Sequence, residues 1–344
     1  MTGAAGVPAI PTRLTEQAGV RVPLIAGPMY PCSNPELVAA VSAAGGLGIV
    51  QPISLTFVHR HDFREGLRYI HSITPNPIGL NALIEKSSER YRQRLERWVE
   101  IALEEGVRFF VTSLGNPKWV VNRVESVGGV VYHDVTERKW ALKGLDAGVH
   151  GLIAVNREAG GHAGTRDPQA LLDEVGDLGL PVVCAGGIGD EAQFVDVLRM
   201  GYAGVQLGTR FIATTECRAH PDYKAAILDA TADDVVLTER LTGVPVAVLR
   251  NEYVERIGTR AGPVARALLR HPRTKHWMRA LYGLRSAWAL RKSLEQSEGE
   301  RDYWQAGRSV AHIHEIEPAG EIVARFARAA ARAGLATGGS RTEE

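Results

Sequence analysis

The sequence has little of three things that would restrict its function early. It holds 3 cysteines in 344 residues, an odd number without zinc-site spacing, which argues against a disulfide framework or a cysteine-based metal cluster. A formal net charge of +1 provides no field that would attract nucleic acid. No apolar run is long enough to span a bilayer, and no signal-peptide pattern opens the chain. We therefore expect a reduced, cytoplasmic protein without a metal, nucleic-acid or membrane partner.

What the chain does contain is a regular alternation of strand and helix signals from Val22 to Ile212. Such alternation is typical of a parallel sheet covered by helices on both faces. Eight strand signals fit an α/β fold closed as a (β/α)8 TIM barrel better than a doubly wound open sheet. The open sheet would carry a GxGxxG motif in its first turn, where this chain has Gly27-Pro28-Met29. The predicted strands are Val22–Ala26, Leu47–Val50, Pro77–Asn81, Arg108–Ser113, Val130–Asp134, Gly151–Val155 and the runs that begin at Val182 and Ala203.

The alternation ends after Ile212, and the rest of the chain divides by composition. We assign residues 14–228 and 303–334 to the barrel, 229–302 to a helical, basic insertion or lid over the barrel mouth, and 335–344 to a disordered tail. Within the insertion, residues 255–292 hold ten Lys or Arg and a single acid. This basic segment is either the solvated face of paired helices or an electrostatic dock for an anionic substrate or carrier.

Glycines follow the last two predicted strands, with Gly186-Gly187 after the seventh and Gly208 after the eighth. The backbone N–H groups of two adjacent glycine loops can hold an anion. In a (β/α)8 barrel the loops after strands seven and eight form the usual phosphate site. The alternative is that these glycines only serve tight turns, which explains one loop better than two adjacent ones. The loops therefore predict a site for a phosphorylated cofactor or substrate.

A histidine set among glycines follows the sixth predicted strand, in the run Ala159-Gly-Gly-His162-Ala-Gly164. Glycines let the backbone approach a ligand closely, and histidine is the side chain best suited to proton transfer near neutral pH. No Ser-His-Asp arrangement and no set of metal ligands is evident in the sequence. The alternative is a solvent-exposed loop histidine. The two glycine loops favour the first interpretation, in which His162 faces whatever the phosphate site holds.

Taken in order, these motifs resemble the nitronate monooxygenase family, formerly called 2-nitropropane dioxygenases. They also resemble a sister group on the same fold, the flavin-dependent enoyl-ACP reductases. The match runs from Val22 to Glu216, with a weaker one at Trp304–Gly307. Its motifs are Gly27-Pro28-Met29, Asn34-Pro35, Gly45-Gly46, the His162 run, Ala185-Gly186-Gly187-Ile188 and Gln206-Leu207-Gly208-Thr209-Arg210.

The resemblance implies FMN bound at the carboxyl ends of the strands. The implied cofactor-binding residues are Gly186, Gly187, Gly208 and Thr209 at the phosphate, Gly27, Pro28, Met29 and Asn81 along the ring system, and Gly160, Gly161, Gln206 and Leu207 beside them. His162 would face N5 of the flavin as a base or hydrogen-bond partner. The implied reaction is the oxidation of an alkyl nitronate by O2 to a carbonyl compound and nitrite, and a homodimer is kept as a hypothesis.

Three departures from the family pattern, all near the expected active-site mouth, leave the substrate open. Tyr30-Pro31-Cys32 is bulkier than the small residues usual there, Ala163 stands where arginine is common, and the basic segment is not typical. The alternative function is therefore an FMN-dependent reductase or oxidase of an enoyl or acyl thioester, whose CoA or carrier protein the basic segment would bind. A non-catalytic flavin- or phosphate-binding protein is the third hypothesis.

Overall fold

Eight parallel strands close into a barrel in which each strand pairs with its neighbours in sequence and β1 pairs with β8. The structure is a computed structural model and describes residues 6–85, 89–241, 243–260 and 303–336. The strands are β1 Leu24–Ala26, β2 Leu47–Val50, β3 Ile78–Ile84, β4 Phe109–Leu114, β5 Val130–Val135, β6 Gly151–Val155, β7 Val182–Ala185 and β8 Gly204–Leu207. The (β/α)8 barrel predicted from the sequence is confirmed.

Helices cover the outside of the barrel, and local signals set their ends. The helix Glu191–Met200 begins and ends where the sequence predicts, because Asp190 and Gln193 form a capping box and Gly201 takes the left-handed conformation. The helices, in chain order, are α1 Arg13–Ala18, α2 Pro35–Ala43, α3 Phe63–Ile73, α4 Glu89–Glu104, α5 Lys118–Glu125, α6 Arg138–Asp146, α7 Pro168–Val175, α8 Glu191–Met200, α9 Thr209–Ile212, α10 Pro221–Asp229, α11 Glu252–Ile257 and α12 Ala319–Arg332.

The barrel interior is filled by side chains that alternate along each strand with side chains facing the helices. An apolar cluster that includes Phe109, Val111 and Tyr132 occupies its centre. Asn81 pairs in register with Val111, and Val111 with Tyr132. Because the strands tilt, one interior layer takes its residues from alternate strands. From one of these strands to the next, the contributing residue lies two positions beyond the residue that strand pairing places opposite. On this geometry the layer toward the carboxyl ends consists of Gly27, Asn81, Asp134 and Ala185, and the layer beneath it of Ile49, Val111, Ile153 and Gln206.

The C-terminal helix α12 closes the outer ring by packing against α2 and α8. The Phe326 ring lies 5.3 Å from the Phe194 ring of α8. The Arg210 guanidinium is buried, with Nη2 donating to the carbonyls of Ala213 and Glu315 at 2.8 and 2.7 Å. The segment before α12 is thereby held against the loop that follows β8.

The described part of the insertion departs from the helical prediction. Val235–Thr238 (β9) and Val246–Leu249 (β10) pair as antiparallel strands, and α11 follows them. The prediction of a helical insertion is therefore wrong for this stretch, where runs of Val and Leu favour strands. Ala247 of β10 and Gly161 exchange two backbone hydrogen bonds of 2.7 and 3.2 Å. This pair of strands consequently lies at the carboxyl end of the barrel, beside the His162 loop.

Parts of the predictions fall on residues that the structure does not describe. The basic segment 255–292 is described only as far as residue 260, so its interpretation as a dock or as a solvated face stays a prediction. The predicted tail 335–344 is described only for its first two residues.

Candidate active site at the carboxyl ends of the strands

Two glycine loops meet at the ends of β7 and β8 and are called here the glycine cradle: Gly186-Gly187 and Gly208-Thr209. Gly186 and Gly187 have φ of +118° and +87°, which side chains other than glycine rarely adopt. A Cβ on Gly186 would lie 2.5 Å from the backbone N of Ala159, so this loop needs glycine to pack against the His162 loop. Gly208 differs, because a Cβ there would meet no atom of the described chain closer than Met29 Sδ at 3.7 Å. Space is open above it.

Donors in the glycine cradle are available to a ligand. The backbone N–H groups of Gly186, Gly187 and Gly208 donate to no other group within the described chain. The Thr209 hydroxyl oxygen accepts from the N–H of Gly307 at 3.0 Å, and its own hydrogen remains available to donate. This arrangement suits a phosphate, since aimed N–H groups are the usual partners of phosphate oxygens.

Three buried acceptors without a protein partner face the barrel interior toward the carboxyl ends of the strands. Among the residues described, Asn81 Oδ1, Asp134 Oδ1 and Gln206 Oε1 accept no hydrogen bond. Buried polar atoms nearly always have a hydrogen-bond partner. Three unpartnered acceptors in two adjacent interior layers of the barrel therefore indicate a ligand that supplies hydrogen-bond donors. Gly27 faces Gln206, and a Cβ on Gly27 would lie 2.9 Å from Gln206 Cγ. The residues present therefore fit a flat polar group lying over this end of the barrel.

The His162 loop stands at the edge of this site. Gly161 has φ of +69° and pairs with Ala247 of β10, and a Cβ on Gly160 would lie 2.8 Å from the backbone N of Gly307. The loop is thus held between β10 and the Trp304–Gly307 motif. The His162 side chain is exposed on one side, while desolvation by the protein around it lowers the pKa of its imidazole from 6.5. At neutral pH the ring is neutral and can accept a proton.

The remaining residues named from the sequence lie at the same end of the barrel, with one qualification. Pro28 and Met29 are half-buried after β1, and the Met29 N–H donates to Ser33 Oγ at 2.8 Å. The Leu207 side chain is buried in the core between the barrel and its helices. Its carbonyl accepts from the Gly27 N–H at 2.9 Å, so Leu207 shapes the site through its backbone.

Two residues that matter to this site were missed by reasoning from the sequence. Asn156 is buried after β6; its Nδ2 donates to the Gly186 carbonyl at 3.0 Å and its Oδ1 accepts from the Glu158 N–H at 2.8 Å. It thereby joins the His162 loop to the glycine cradle. Asp134 ends the fifth predicted strand, and its inward position could have been read from its spacing of two residues from Tyr132.

The described residues show neither a metal-binding cluster nor a membrane-spanning helix. No group of three or more His, Cys, Asp or Glu that could hold a metal ion occurs among them. None of the helices seen there is long and apolar enough to cross a membrane. The three cysteines are free and buried, and burial raises the pKa of the Cys184 thiol to about 12, which suits a core residue more than a nucleophile.

The sequence is similar to one known family over most of its length. A family model described as nitronate monooxygenase matches residues 11–328. A Mycobacterium tuberculosis protein named (3aS,4S,5R,7aS)-5-hydroxy-7a-methyl-1-oxo-octahydro-1H-indene-4-carboxyl-CoA dehydrogenase is 32% identical over 263 residues, which are 75% of this chain and 72% of the relative. A probable nitronate monooxygenase of Staphylococcus saprophyticus is 27% identical over 288 residues, covering 72% of this chain and 80% of the relative.

Solved structures resemble the whole fold. FabK from Thermotoga maritima superposes with a TM-score of 0.77 at 27% identity, covering 95% of this chain and 98% of its own. A nitroalkane oxidase from Streptomyces ansochromogenes superposes with a TM-score of 0.75 at 26% identity, covering 94% of this chain and 99% of its own. The barrel and the segments around its carboxyl end are thus shared with both structures.

Proposed function

Because the chain belongs to the nitronate monooxygenase family, a family of flavin-dependent oxidoreductases, we propose that it binds FMN in the glycine cradle. In this proposal His162 takes a proton from a substrate carbon at the flavin. The observation that carries the proposal is the convergence of free N–H donors, unpartnered buried acceptors and one neutral histidine at a single end of the barrel. Family membership makes the enzyme an oxidoreductase. The identity of its cofactor and of its substrate is what we propose.

The chain's residues have separate tasks in this proposal. Gly186, Gly187, Gly208 and Thr209 bind the phosphate. The amides of Asn81 and Gln206 orient the ring system, and the apolar side chains of Ile49, Val111 and Ile153 exclude water beneath it. When bound, FMN would accept electrons from the substrate and pass them to oxygen or another acceptor. His162 holds the proton removed from the substrate, and its neutral ring is in the correct state to do so at pH 7.

The first candidate substrate is a nitroalkane or its nitronate, oxidised by O2 to a carbonyl compound and nitrite. Family membership and the Staphylococcus saprophyticus relative support it. Among the residues described, the inward layers at this end offer no cation to an anionic nitronate. The side chains there favour a neutral nitroalkane, from which His162 removes the proton.

The second candidate substrate is an acyl or enoyl thioester. It is favoured by the Mycobacterium tuberculosis relative, whose name specifies a carboxyl-CoA dehydrogenase, at higher identity than the nitronate monooxygenase relative. A saturated acyl thioester is also a neutral carbon acid, so the same neutral base suits its oxidation, whereas reduction of an enoyl thioester would need a proton donor. The proton-abstracting role of His162 is therefore common to nitroalkane and acyl-thioester oxidation, and the flavin's electron donor separates the two substrates.

Anaerobic mixing of the FMN-loaded protein with each donor distinguishes the candidates. Bleaching of the flavin by a nitroalkane or nitronate supports the first. Bleaching by NADH or by an acyl-CoA, with nitronates inert, supports the second. A flavin that none of these donors reduces would contradict the proposed oxidoreductase chemistry for both classes.

The pH dependence of turnover reports on His162. Its pKa is lowered by desolvation, so the neutral base is fully formed above that pKa and is lost as the pH falls through it. With a neutral nitroalkane or acyl thioester we expect kcat/KM to rise with pH along a limb centred below pH 6.5 and then to level off. The same profile measured on His162→Asn should lack this acidic limb. A wild-type limb centred above 6.5 would contradict a desolvated neutral base.

A further inference from the structure

Asp134 is a carboxyl group in an interior layer at the carboxyl end of the barrel, the end at which the flavin site is proposed. Along β5 the side chain of Tyr132 points into the barrel and that of His133 points outward, where its Nδ1 lies 2.9 Å from Thr112 Oγ1. Alternation therefore turns Asp134 inward. The register places it in the same layer as Asn81, with Gly27 and Ala185 as the small residues of the other two strands. The Asp134 carboxyl and the Asn81 amide thus lie at the same depth in the barrel.

This carboxyl is isolated from other charges. Asp134 Oδ1 is buried and has no hydrogen-bond partner within the part of the chain that the structure describes. The inward side chains of the adjacent strands are not titratable: Ser113 of β4 and Ile153 and Val155 of β6. Tyr132 is the preceding inward side chain of β5, two residues before Asp134. Its hydroxyl donates to Gln17 Oε1 at 2.7 Å.

Charged and titratable groups lie on the loops that follow β5 and β6, at the carboxyl end of the barrel. Glu137 pairs with Lys139 at 2.6 Å, and both are exposed. On the loop after β6, Arg157 pairs with Glu158 at 2.8 Å, and Arg166 pairs with Glu174 at 3.2 Å. The same loop holds His162, which is neutral at pH 7, and Asp167, which accepts from the Ala170 N–H at 2.8 Å as the N-cap of α7.

Burial without a compensating cation makes ionisation of this carboxyl unfavourable. Desolvation is the cause that raises the pKa of Asp134 to about 7. Both the ionised and the neutral form are therefore accessible near neutral pH. A further negative charge placed nearby would favour the neutral form.

We propose that Asp134 is a proton-holding residue of the flavin site, which takes up a proton from solvent when the bound flavin is reduced and releases it on reoxidation. The inference rests on the proposed FMN site. In the balanced step, the substrate supplies two electrons and the flavin takes them with one proton, which leaves it with one negative charge. The Asp134 carboxylate takes a second proton from solvent and becomes a carboxylic acid. When the acceptor removes the two electrons, both protons leave.

The pH range of this coupling follows from the sign of the shift. Above about pH 7 Asp134 is ionised beside the oxidised flavin, so reduction draws an extra proton onto it. Well below pH 7 Asp134 is already protonated, and reduction draws none. The uptake of an extra proton on reduction is therefore expected above about pH 7 and is absent well below pH 7.

The test is the slope of the flavin midpoint potential against pH, which counts protons taken up per electron pair and requires no turnover. Wild type should take up roughly one more proton per flavin than D134N between about pH 7 and 9, and the difference should close below about pH 6. D134A should behave like D134N. E137Q, which removes an exposed carboxylate from the following loop, should keep the wild-type slope.

Two failures are distinguishable. If wild type and both Asp134 variants bind FMN but share one slope over the whole range, Asp134 holds no coupled proton and this inference is wrong. If wild type binds no flavin, the proposed function itself fails. FMN absorbance of each variant, recorded before the titration, separates the two results.

Discussion

Replacing Gly208 by aspartate should weaken FMN binding roughly a thousand-fold or more. A carboxylate about 4 Å from the phosphate costs roughly 4 kcal/mol for each unit of phosphate charge at an effective dielectric of about 20, and each 1.4 kcal/mol is about a factor of ten in the dissociation constant. Gly208 suits this test because its φ of −111° is open to any residue. A new Cβ meets only Met29 Sδ, at 3.7 Å, within the described chain, so folding should be unaffected.

Matched variants at the same position separate charge from size. Gly208→Asn has the shape of the aspartate without its charge, and Gly208→Ala adds the Cβ alone. We expect dissociation constants in the order Asp well above Asn, and Asn above Ala, measured by titration of apoprotein with FMN. Equal values for Asp and Asn would mean that no phosphate lies at this loop.

Replacing His162 by alanine should lower turnover of a neutral nitroalkane by about 10²–10⁴-fold, because a positioned general base contributes about that much. With a preformed nitronate the loss should be smaller, since that substrate has already given up its proton. FMN should stay bound in both cases, because the phosphate-holding loops are unchanged. The measurement is steady-state kcat/KM with each substrate, with flavin content determined from absorbance.

The matched control is His314→Ala, which removes an exposed histidine from the segment before α12. Its kcat/KM should equal that of wild type for both substrates. If His162→Ala loses the same factor on nitroalkane and nitronate, His162 shapes the pocket and does not act as a base.

Local signals made most of the barrel predictable. β2, β6 and α8 match their predicted bounds, because hydrophobic runs with β-branched residues, helix caps and C-terminal glycines act over a few residues. The helix after β2 shows the limit of this reasoning. The sequence pattern predicts that helix around Phe57–Ile70, whereas α3 begins at Phe63, because the Asp62 side chain caps the N–H groups of Arg64 and Glu65.

Features that depend on distant contacts were not predictable from the chain alone. Residues 229–302 were predicted to form a helical insertion or lid, whereas Val235–Thr238 forms a strand once β10 pairs with it. The pairing of Ala247 with Gly161 joins positions 86 residues apart. Asp134 is visible at the end of a strand signal, but its isolation follows from barrel closure, which surrounds it with Ser113, Ile153 and Val155.

The sequence motifs located the site better than they distinguished its substrate. Glycine positions in the cradle and the His162 loop reflect backbone geometry, which the motif fixes directly. The substrate depends on side chains that line the mouth, and the basic segment predicted to cover it lies largely outside the described residues.

The central claim is that this barrel binds FMN at the glycine cradle, and the most direct measurement is the identity and amount of cofactor in the purified protein. Reconstituted protein should be yellow and release about one FMN per chain on denaturation, with no FAD, because the cradle suits one terminal phosphate. Chromatography of the released cofactor against both standards decides this. A protein that stays colourless after reconstitution with FMN would contradict the account.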